Sequence, residues 1–375
     1  MHPNKSISFV DFYKQNKVSP VNQNIGSLTE HLNRRVRLFH SLGISKSYIK
    51  NSKLIEFGPG SGYNTLVFSL INKNYIKLVD GNPYGLEKLI SLYKKYELKL
   101  PDIEYMYFED FNENNSYDIA WAEGCIPQQK NPIAILKSIS KTVHPGGSLV
   151  VTAISGVSYM SEIFRRIVTT IIVEGNFHKD LKYLGKFFSS HLSELSGMTR
   201  PAEDWIIDSL LNPLHEGKLL SIPDILNTLD QFEFISSLPT YLHNWIWYKD
   251  QDQESTSKKM LSQYYSTNLC YLDKDIPGCQ KHSQDLGKEL ETAAELLWDT
   301  MCYQQSNNEN VYLYGEIFSK LSDILKKMDY AKVDNFIDLT KNILQEDVDS
   351  IFSSRYFQSW WGRGQSYVHL TRVEN

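Results

Sequence analysis

The sequence predicts an α/β protein: a parallel sheet with helices on both faces, enlarged by two long helical segments. Three observations carry this. Up to about residue 156, short apolar runs alternate with segments whose apolar side chains recur at helical spacing. Glycine or proline turns separate them, and parallel strands need crossovers that cover a face, so the alternation implies a sheet buried on both sides. Beyond residue 157 strand signals nearly vanish, returning only at Phe232 to Ser236 and Tyr367 to Val373.

Taken in order, Leu54 to Phe57 reads as a buried strand closed by glycines, and Tyr63 to Ile71 as a helix with one apolar face. Ile76 to Val79 is the second strand. Leu86, Leu89, Ile90 and Tyr93 mark the next helix, and Ile103 to Phe108 forms the third strand after Pro101. Tyr117 to Ala122 is the fourth strand and Ile133 to Ile139 a helix. His144-Pro145-Gly146-Gly147 predicts a tight turn, and Ser148 to Ile154 a fifth strand rich in β-branched residues. After Gly156, Met160, Ile163, Phe164, Ile167 and Ile171 share one helical stripe, followed by the aromatic stretch Tyr183 to Phe188. Ser221 is placed to cap a helix from Pro223 to Leu229. Lys249 to Lys259, polar and charged, reads as a loop. A second helical region runs from about Gln284 to Asp347, and the alternation of Tyr367 to Val373 returns the chain to the sheet.

The chain has 375 residues, room for two cores or for one with large additions. With 41% hydrophobic and 22% charged residues it has the balance of a folded globular protein and is not collagen-like, coiled-coil or wholly disordered. A formal charge of -5 argues against coating nucleic acid by phosphate neutralisation. Cys125, Cys270, Cys279 and Cys302 include no C-x-x-C pair, which speaks against a disulfide framework and against a metal site. A reducing cytoplasm is the expected compartment. Met1 to Lys5 leads into polar sequence with no signal-peptide core, and the most apolar later run, Ile167 to Val173, is too short for a membrane span.

The strongest chemical signal is Glu56-Phe57-Gly58-Pro59-Gly60-Ser61-Gly62 between a buried strand and an amphipathic helix. Glycines there let backbone approach a ligand, and the helix that follows offers free N–H groups. Glu56 can accept from a ligand ammonium. About twenty residues on, Asp80 ends the second strand in Val79-Asp80-Gly81-Asn82-Pro83, where an acid can take both ribose hydroxyls. Loop and acid together point to an adenosine-containing ligand. The glycines run G-x-G-x-G, with Tyr63 where a dinucleotide fingerprint carries its last glycine, and no Gly-Lys-Ser/Thr follows. NAD is disfavoured and a Walker loop excluded. An acid beside the loop would repel pyrophosphate and welcome an amino group.

At this point the sequence resembles the class I S-adenosylmethionine-dependent methyltransferases, through Leu54 to Gly62, Leu78 to Pro83, Glu109-Asp110, Tyr117 to Glu123 and Val143 to Thr152, over about residues 30 to 156. The resemblance implies a Rossmann-like sheet of seven strands with the last antiparallel and inserted beside the fifth. Residues 1–156, 222–238 and 356–375 would then form the S-adenosylmethionine-binding domain, and 157–221 and 239–355 helical insertions forming a cap. By the same resemblance Gly58, Gly60 and Gly62 line the methionine moiety, Asp80 holds the ribose, Asp110 contacts the adenine amine, and Gly81 or Asn82 packs on the adenine.

Methyl transfer from a sulfonium is a displacement from an activated donor, so positioning supplies much of the acceleration. Where a base is needed, Glu123 beyond the fourth strand is the best-placed candidate; it could equally bind the methionine end of the cofactor. Glu123-Gly124-Cys125-Ile126-Pro127 departs from the Asn/Asp-Pro-Pro-Tyr/Phe signature of enzymes that methylate amino groups of nucleic acids. His178, His191, His215 and His243 are further candidate bases, read first as surface or core residues. Arg165-Arg166 and Arg200 could clamp an anionic acceptor, against the plainer reading of a solvated helix face and a loop ion pair. Trp205, Trp245, Trp247, Trp360 and Trp361 are read as packing, and Gly362-Arg363-Gly364 as a turn near a substrate mouth. The leading expectation is a methyltransferase for a small-molecule or glycan-like acceptor enclosed by a helical lid. The alternatives are a protein or RNA methyltransferase with an open groove, and a non-catalytic scaffold.

Overall fold

The computed structural model describes residues 9–16, 27–195, 200–212, 217–240, 247, 249, 255–277, 280–307 and 311–374. Cys279, His215, His243 and Trp245 lie outside the described residues. The chain divides into two compact units, a sheet unit of Ser8–Ala153, Lys218–Gln263 and Gln365–Asn375 and a helical unit that takes Ile154–Gly217 and Tyr264–Gly364.

Seven strands build the sheet: β1 (Lys53–Phe57), β2 (Tyr75–Val79), β3 (Asp102–Glu104), β4 (Tyr117–Ala122), β5 (Val143–Ala153), β6 (Phe232–Leu238) and β7 (Ser366–Arg372). Their order is β3-β2-β1-β4-β5-β7-β6. β1 to β5 pair in parallel, and β7 is antiparallel to both β5 and β6. The order reverses direction between β1 and β4, which are neighbours with Phe57 opposite Ala122. A crevice outside the C-terminal ends of those two strands is where such sheets bind ligands.

Local chemistry accounts for the elements. β1 is buried on both faces beyond its first residue, so it reads as a continuous apolar run interrupted only by Glu56. Asn82 caps the helix Pro83–Lys95 by accepting from the Tyr84 N–H at 3.1 Å, with proline in the first turn. Ser221 and Asp224 form a reciprocal capping box at the helix Ile222–Thr228, one residue earlier than the sequence placed its start. The core joins the helix Leu28–Ser41 to the sheet through Phe39, which stacks on Phe68 at 5.2 Å and meets Trp121 edge-on at 5.4 Å.

Three element boundaries are corrected. β3 stops at Glu104, short of the expected Phe108, and Phe108–Asp110 is a 3-10 turn. The His144 to Gly147 segment lies inside β5 instead of before it. Val143 already pairs with Tyr117, and the register then shifts so that Ser148 meets Ile119. The bulge, with Gly146 at φ +80°, absorbs the extra residues. Of the polar stretch read as a loop, Thr256 onwards is the helix Thr256–Thr267, opened by Ser255, whose hydroxyl accepts from the Lys258 N–H at 3.4 Å.

The helical unit is held by side chains that looked like surface. Arg165 and Arg166 are buried in the helix Met160–Ile172, which corrects their reading as a solvated face. The Arg165 guanidinium lies 3.6 Å from the Trp361 ring centre and donates to the carbonyls of Ser161, Phe357 and Trp360; burial lowers its pKa to about 9. Arg200 pairs with Asp208 at 2.7 Å, an ion pair as read. Trp205, Trp360 and Trp361 are buried in this unit, Trp205 and Trp361 edge to face at 5.8 Å. Trp247 is exposed. Gly362 has no room for a side chain because a Cβ would stand 2.1 Å from the Ser158 carbonyl oxygen, and Arg363 ties down the carbonyls of Cys270 and Ile276.

The tightest approach is at Gly287 in the helix Gln284–Asn307, where a Cβ would fall 1.7 Å from the Tyr265 carbonyl oxygen. Gly-to-Ala inside a helix ordinarily stabilises by up to about 1 kcal/mol. Here the sign reverses. Gly287→Ala is expected to destabilise the protein by about 1–3 kcal/mol through overpacking, read as a lower denaturation midpoint with an unchanged slope.

Candidate functional site

The crevice between β1 and β4 is built from the loop Gly58 to Gly62. Gly58, Gly60 and Gly62 all have positive φ, +69°, +53° and +83°, a region that L side chains strain to enter. The loop is fixed by its own backbone: the Gly58 N–H donates to the Val79 carbonyl at 2.9 Å and the Gly62 N–H to that of Pro59 at 3.0 Å. Two of the glycines also make room for neighbours. A Cβ on Gly58 would stand 2.7 Å from Cys125 Cβ, and one on Gly62 would stand 2.6 Å from Leu89 Cγ. Gly62 therefore serves the docking of the helix Pro83–Lys95, a role the sequence reading did not give it.

Asp80 organises this turn. Its Oδ2 accepts from the Gly60 N–H at 3.0 Å and its Oδ1 from the Asn82 N–H at 2.8 Å, so one carboxylate ties the glycine loop to the cap of the next helix. Burial pushes its pKa up to about 6 against those two hydrogen bonds. Gly81 faces Tyr107, whose ring would lie 3.3 Å from a Cβ there. The exposed Asp110 sits on the 3-10 turn that packs against the end of β1, with the rings of Phe108 and Phe111 edge-on to Phe57 at 5.7 and 5.4 Å.

Glu56 and Glu123 stand at the ends of β1 and β4, and their surroundings differ sharply. Glu56 is 2% exposed and its Oε2 has no hydrogen-bond partner. Burial above all raises its pKa to about 8, against the Thr65 hydroxyl and the Arg35 charge and with Glu123 adding to the rise. Glu123 is saturated instead. Arg35 forks onto both oxygens at 2.9 and 2.6 Å, Tyr367 Oη donates to Oε1 at 2.6 Å, Asn64 Nδ2 to Oε1 at 3.0 Å, and Trp121 Nε1 to Oε2 at 3.0 Å. Burial works against its charge, but Arg35 and these hydrogen bonds overcome that and hold its pKa below the usual carboxylate range. A carboxylate so engaged has no lone pair to spare and little basicity. This argues against the general-base role expected for Glu123.

Sequence reasoning missed Arg35, Asn64 and Tyr367. Asn64 precedes the helix Thr65–Ile71 but makes no cap hydrogen bond, its side chain going to Glu123. Arg35 projects from the helix Leu28–Ser41, in which His31, Arg35 and Phe39 are the buried residues at four-residue spacing. That stripe of two polar residues on a buried face was the available signal. His31 Nε2 lies 3.0 Å from the Tyr63 carbonyl oxygen, a second tie between this helix and the loop. His191, a candidate base, is fully buried among Phe187, Phe188 and Phe357, with neither ring nitrogen hydrogen-bonded. Burial and the Arg165 charge push its pKa down to about 2, while His178 is exposed.

Residues 29–167 match the family model for a methyltransferase domain. The sheet order, the glycine loop and the acid ending β2 agree with that match, so residues 29–167 form a methyltransferase domain of the kind that uses S-adenosylmethionine. No curated protein matches the sequence. Among solved structures the chain is similar to the [4+2]-cyclase SpnF, at 11% identity and a TM-score of 0.39, over 92% of this chain and 81% of that one. It is also similar to PKMT2 from Rickettsia typhi in complex with AdoHcy, at 14% identity and a TM-score of 0.43, over 64% and 50%.

Glu56 yields a direct test. A carboxyl group whose pKa is raised on folding keeps its proton in the native state while the unfolded chain releases it, so stability falls as pH climbs from about 4.5 towards 8. Glu56→Gln removes that titration. Thermal unfolding of the ligand-free protein should show wild type losing stability relative to Glu56→Gln between pH 5 and pH 8, by about 1–3 kcal/mol. A constant difference across that range would place the titration elsewhere.

Proposed function

We propose that the protein transfers a methyl group from S-adenosylmethionine to a small-molecule or glycan-like acceptor. The observation that carries the cofactor site is the unpartnered, buried Glu56 oxygen at the end of β1 beside the glycine loop. A buried acidic oxygen without a donor is costly, and a ligand ammonium supplies the missing donor. In this reading Glu56 receives the amino group, Gly58 and Gly60 border the amino-acid end, Asp80 takes the ribose hydroxyls, Gly81 and Asn82 lie along the adenine, and Asp110 meets its amine. Bound S-adenosylmethionine supplies the activated methyl group on its sulfonium.

For the chain's own residues the task is then positioning. Asp80 holds the loop through Gly60 and Asn82 before any ligand arrives. Glu123, paired and acidic, orients its neighbours and takes no proton from the acceptor. Its carboxylate is fully engaged in hydrogen bonds.

Connectivity supports an enclosing role for the helical unit. The chain leaves β5 at Ala153 to enter that unit, returns to the sheet unit over Lys218–Gln263, and re-enters it for the last time at Gln365. Ala153 is paired with Ser366, so the first and last of these crossings lie at the C-terminal end of β5. Helices tethered there are candidates for a lid, and a lid that excludes water suits a small acceptor better than a polymer. Hydrogen exchange with cofactor product, with and without an acceptor fraction, tests this: protection within 154–217 and 264–364 should rise only when both are present. Unchanged exchange would favour an open groove and a macromolecular acceptor.

The cofactor reading has its own test in proton linkage. A cation placed against Glu56 favours its ionised form, so binding at pH 7 must release a proton and affinity must rise from pH 6 to about 8. Calorimetric titration with S-adenosylmethionine in two buffers of different ionisation enthalpy measures the release. Glu56→Gln should abolish it and weaken binding by about 1.5–3 kcal/mol.

A further inference from the structure

We propose that the edge of the sheet where β1, β2 and β3 begin, opposite the crevice at their C-terminal ends, is a docking surface for an anionic lipid bilayer. Exposed lysines and two exposed leucines come together there.

Hydrogen bonds make one surface from segments far apart in sequence. Lys46 and Lys50 stand four residues apart on the short helix Lys46–Asn51, hence on one side of it. The Lys73 N–H donates to the Lys50 carbonyl at 2.9 Å and Asn74 Nδ2 to that of Asn51 at 2.9 Å, so the turn into β2 lies against the turn into β1. The Ser69 and Tyr93 hydroxyls share a hydrogen bond of 2.6 Å, which sets the last turn of the helix Thr65–Ile71 beside that of Pro83–Lys95. Leu70 and Lys94 are their neighbours, and Lys95, Lys99 and Leu100 follow on the way into β3. The lysines at 46, 50, 73, 94, 95 and 99 are all exposed, and Leu70 and Leu100 are 37% and 39% exposed.

This charge runs against that of the chain, which carries -5 overall. Between Lys46 and Leu100 the exposed acids are Glu87, in the first half of its helix, and Glu97. Asp102, Glu104 and Glu113 gather round Lys77 instead, at 3.9, 2.7 and 2.6 Å. Among the described residues none of the six lysines forms an ion pair. The helix dipole accounts for Lys50, Lys94 and Lys95 in last turns, but it disfavours Lys46 at a helix start and has no bearing on Lys73 and Lys99 outside helices. A cluster that repels itself is stabilised by an opposing anionic surface.

Leucines among the lysines fit a bilayer, where ammonium groups reach headgroup phosphates while the apolar side chains enter the interface. A nucleic-acid face would offer guanidinium forks and stacking rings, and these eight residues supply neither. Docking by this edge leaves the crevice between β1 and β4 facing away from the lipid.

The test is flotation of the full chain with vesicles of phosphatidylcholine containing about one third phosphatidylserine, against phosphatidylcholine alone. Binding should require phosphatidylserine and fall as salt rises. Each lysine at such a surface contributes about fivefold, so Lys46→Gln, Lys50→Gln and Lys73→Gln together should weaken partitioning by about a hundredfold, and Lys94→Gln, Lys95→Gln and Lys99→Gln together by as much. The same change at the exposed Lys320, Lys326 and Lys327 of the helical unit alters net charge equally and should shift binding by less than about twofold. Leu70→Ser with Leu100→Ser should cost about tenfold and leave the salt dependence unchanged. Equal losses in all three lysine variants, the mark of net charge alone, overturn the proposal. So do a leucine variant that floats like wild type, binding that ignores phosphatidylserine, and no flotation at all. A chain that passes over the vesicles but binds single-stranded RNA, with loss in the first two lysine variants, replaces the lipid with a nucleic acid and overturns the proposal as stated.

Discussion

The Glu123 carboxylate accepts from donors on the helix Leu28–Ser41, on the residue following Tyr63, on β4 itself and on β7. A charge buried at the end of a strand survives only if its partners are all in place, because removing one leaves the rest of the desolvation cost unmet. The geometry of the ligand-binding edge therefore depends on four stretches of chain arriving together. The glycine loop is fixed locally by Asp80 and its own backbone, but the walls on either side of it are fixed through Glu123.

The pair of acids at this edge divides the labour electrostatically. One guanidinium cannot neutralise two carboxylates. Arg35 is committed to Glu123, which stays ionised, and Glu56 is left to carry a proton. Two acids at neighbouring strand ends thus have opposite protonation preferences, and only Glu56, with Oε2 left without a hydrogen bond, is open to a cationic ligand. The same rule explains the helical unit, where Arg165 is accepted in the interior because carbonyl oxygens and an indole face replace its hydration.

Much of the fold was legible because strand and helix periods differ and because glycine and proline punctuate them. The glycine loop and Asp80 could be placed at strand ends from sequence alone, since both lie within a single strand-helix-strand unit. What escaped was long-range. Arg35 and Glu123 are 88 residues apart and Tyr367 is 244 beyond Glu123, so no local pattern joins them. Arg35 also hides between Arg34 and Arg37, and only the burial of its stripe sets it apart. Adjacent arginines at 165 and 166 read as solvated for a similar reason: composition predicts exposure, and only tertiary acceptors can reverse it. The end of β3 was overrun because Tyr105 and Tyr107 favour strands by propensity, yet they are exposed beyond the last paired residue.

The position of β7 bears on how the molecule is assembled in time. β5 is made long before its neighbour, and β6 has no direct partner in the sheet except β7, which is synthesised last of the seven. A chain emerging from the ribosome can form the parallel strands and the glycine loop early, but it lacks the hydroxyl of Tyr367 and the strand that joins β5 to β6. Until then β5 presents an unpaired edge and Glu123 is short of a donor. The wall that Tyr367 completes is thus assembled after the glycine loop in order of synthesis, and the loop must keep its turn through Asp80 and its own backbone until then.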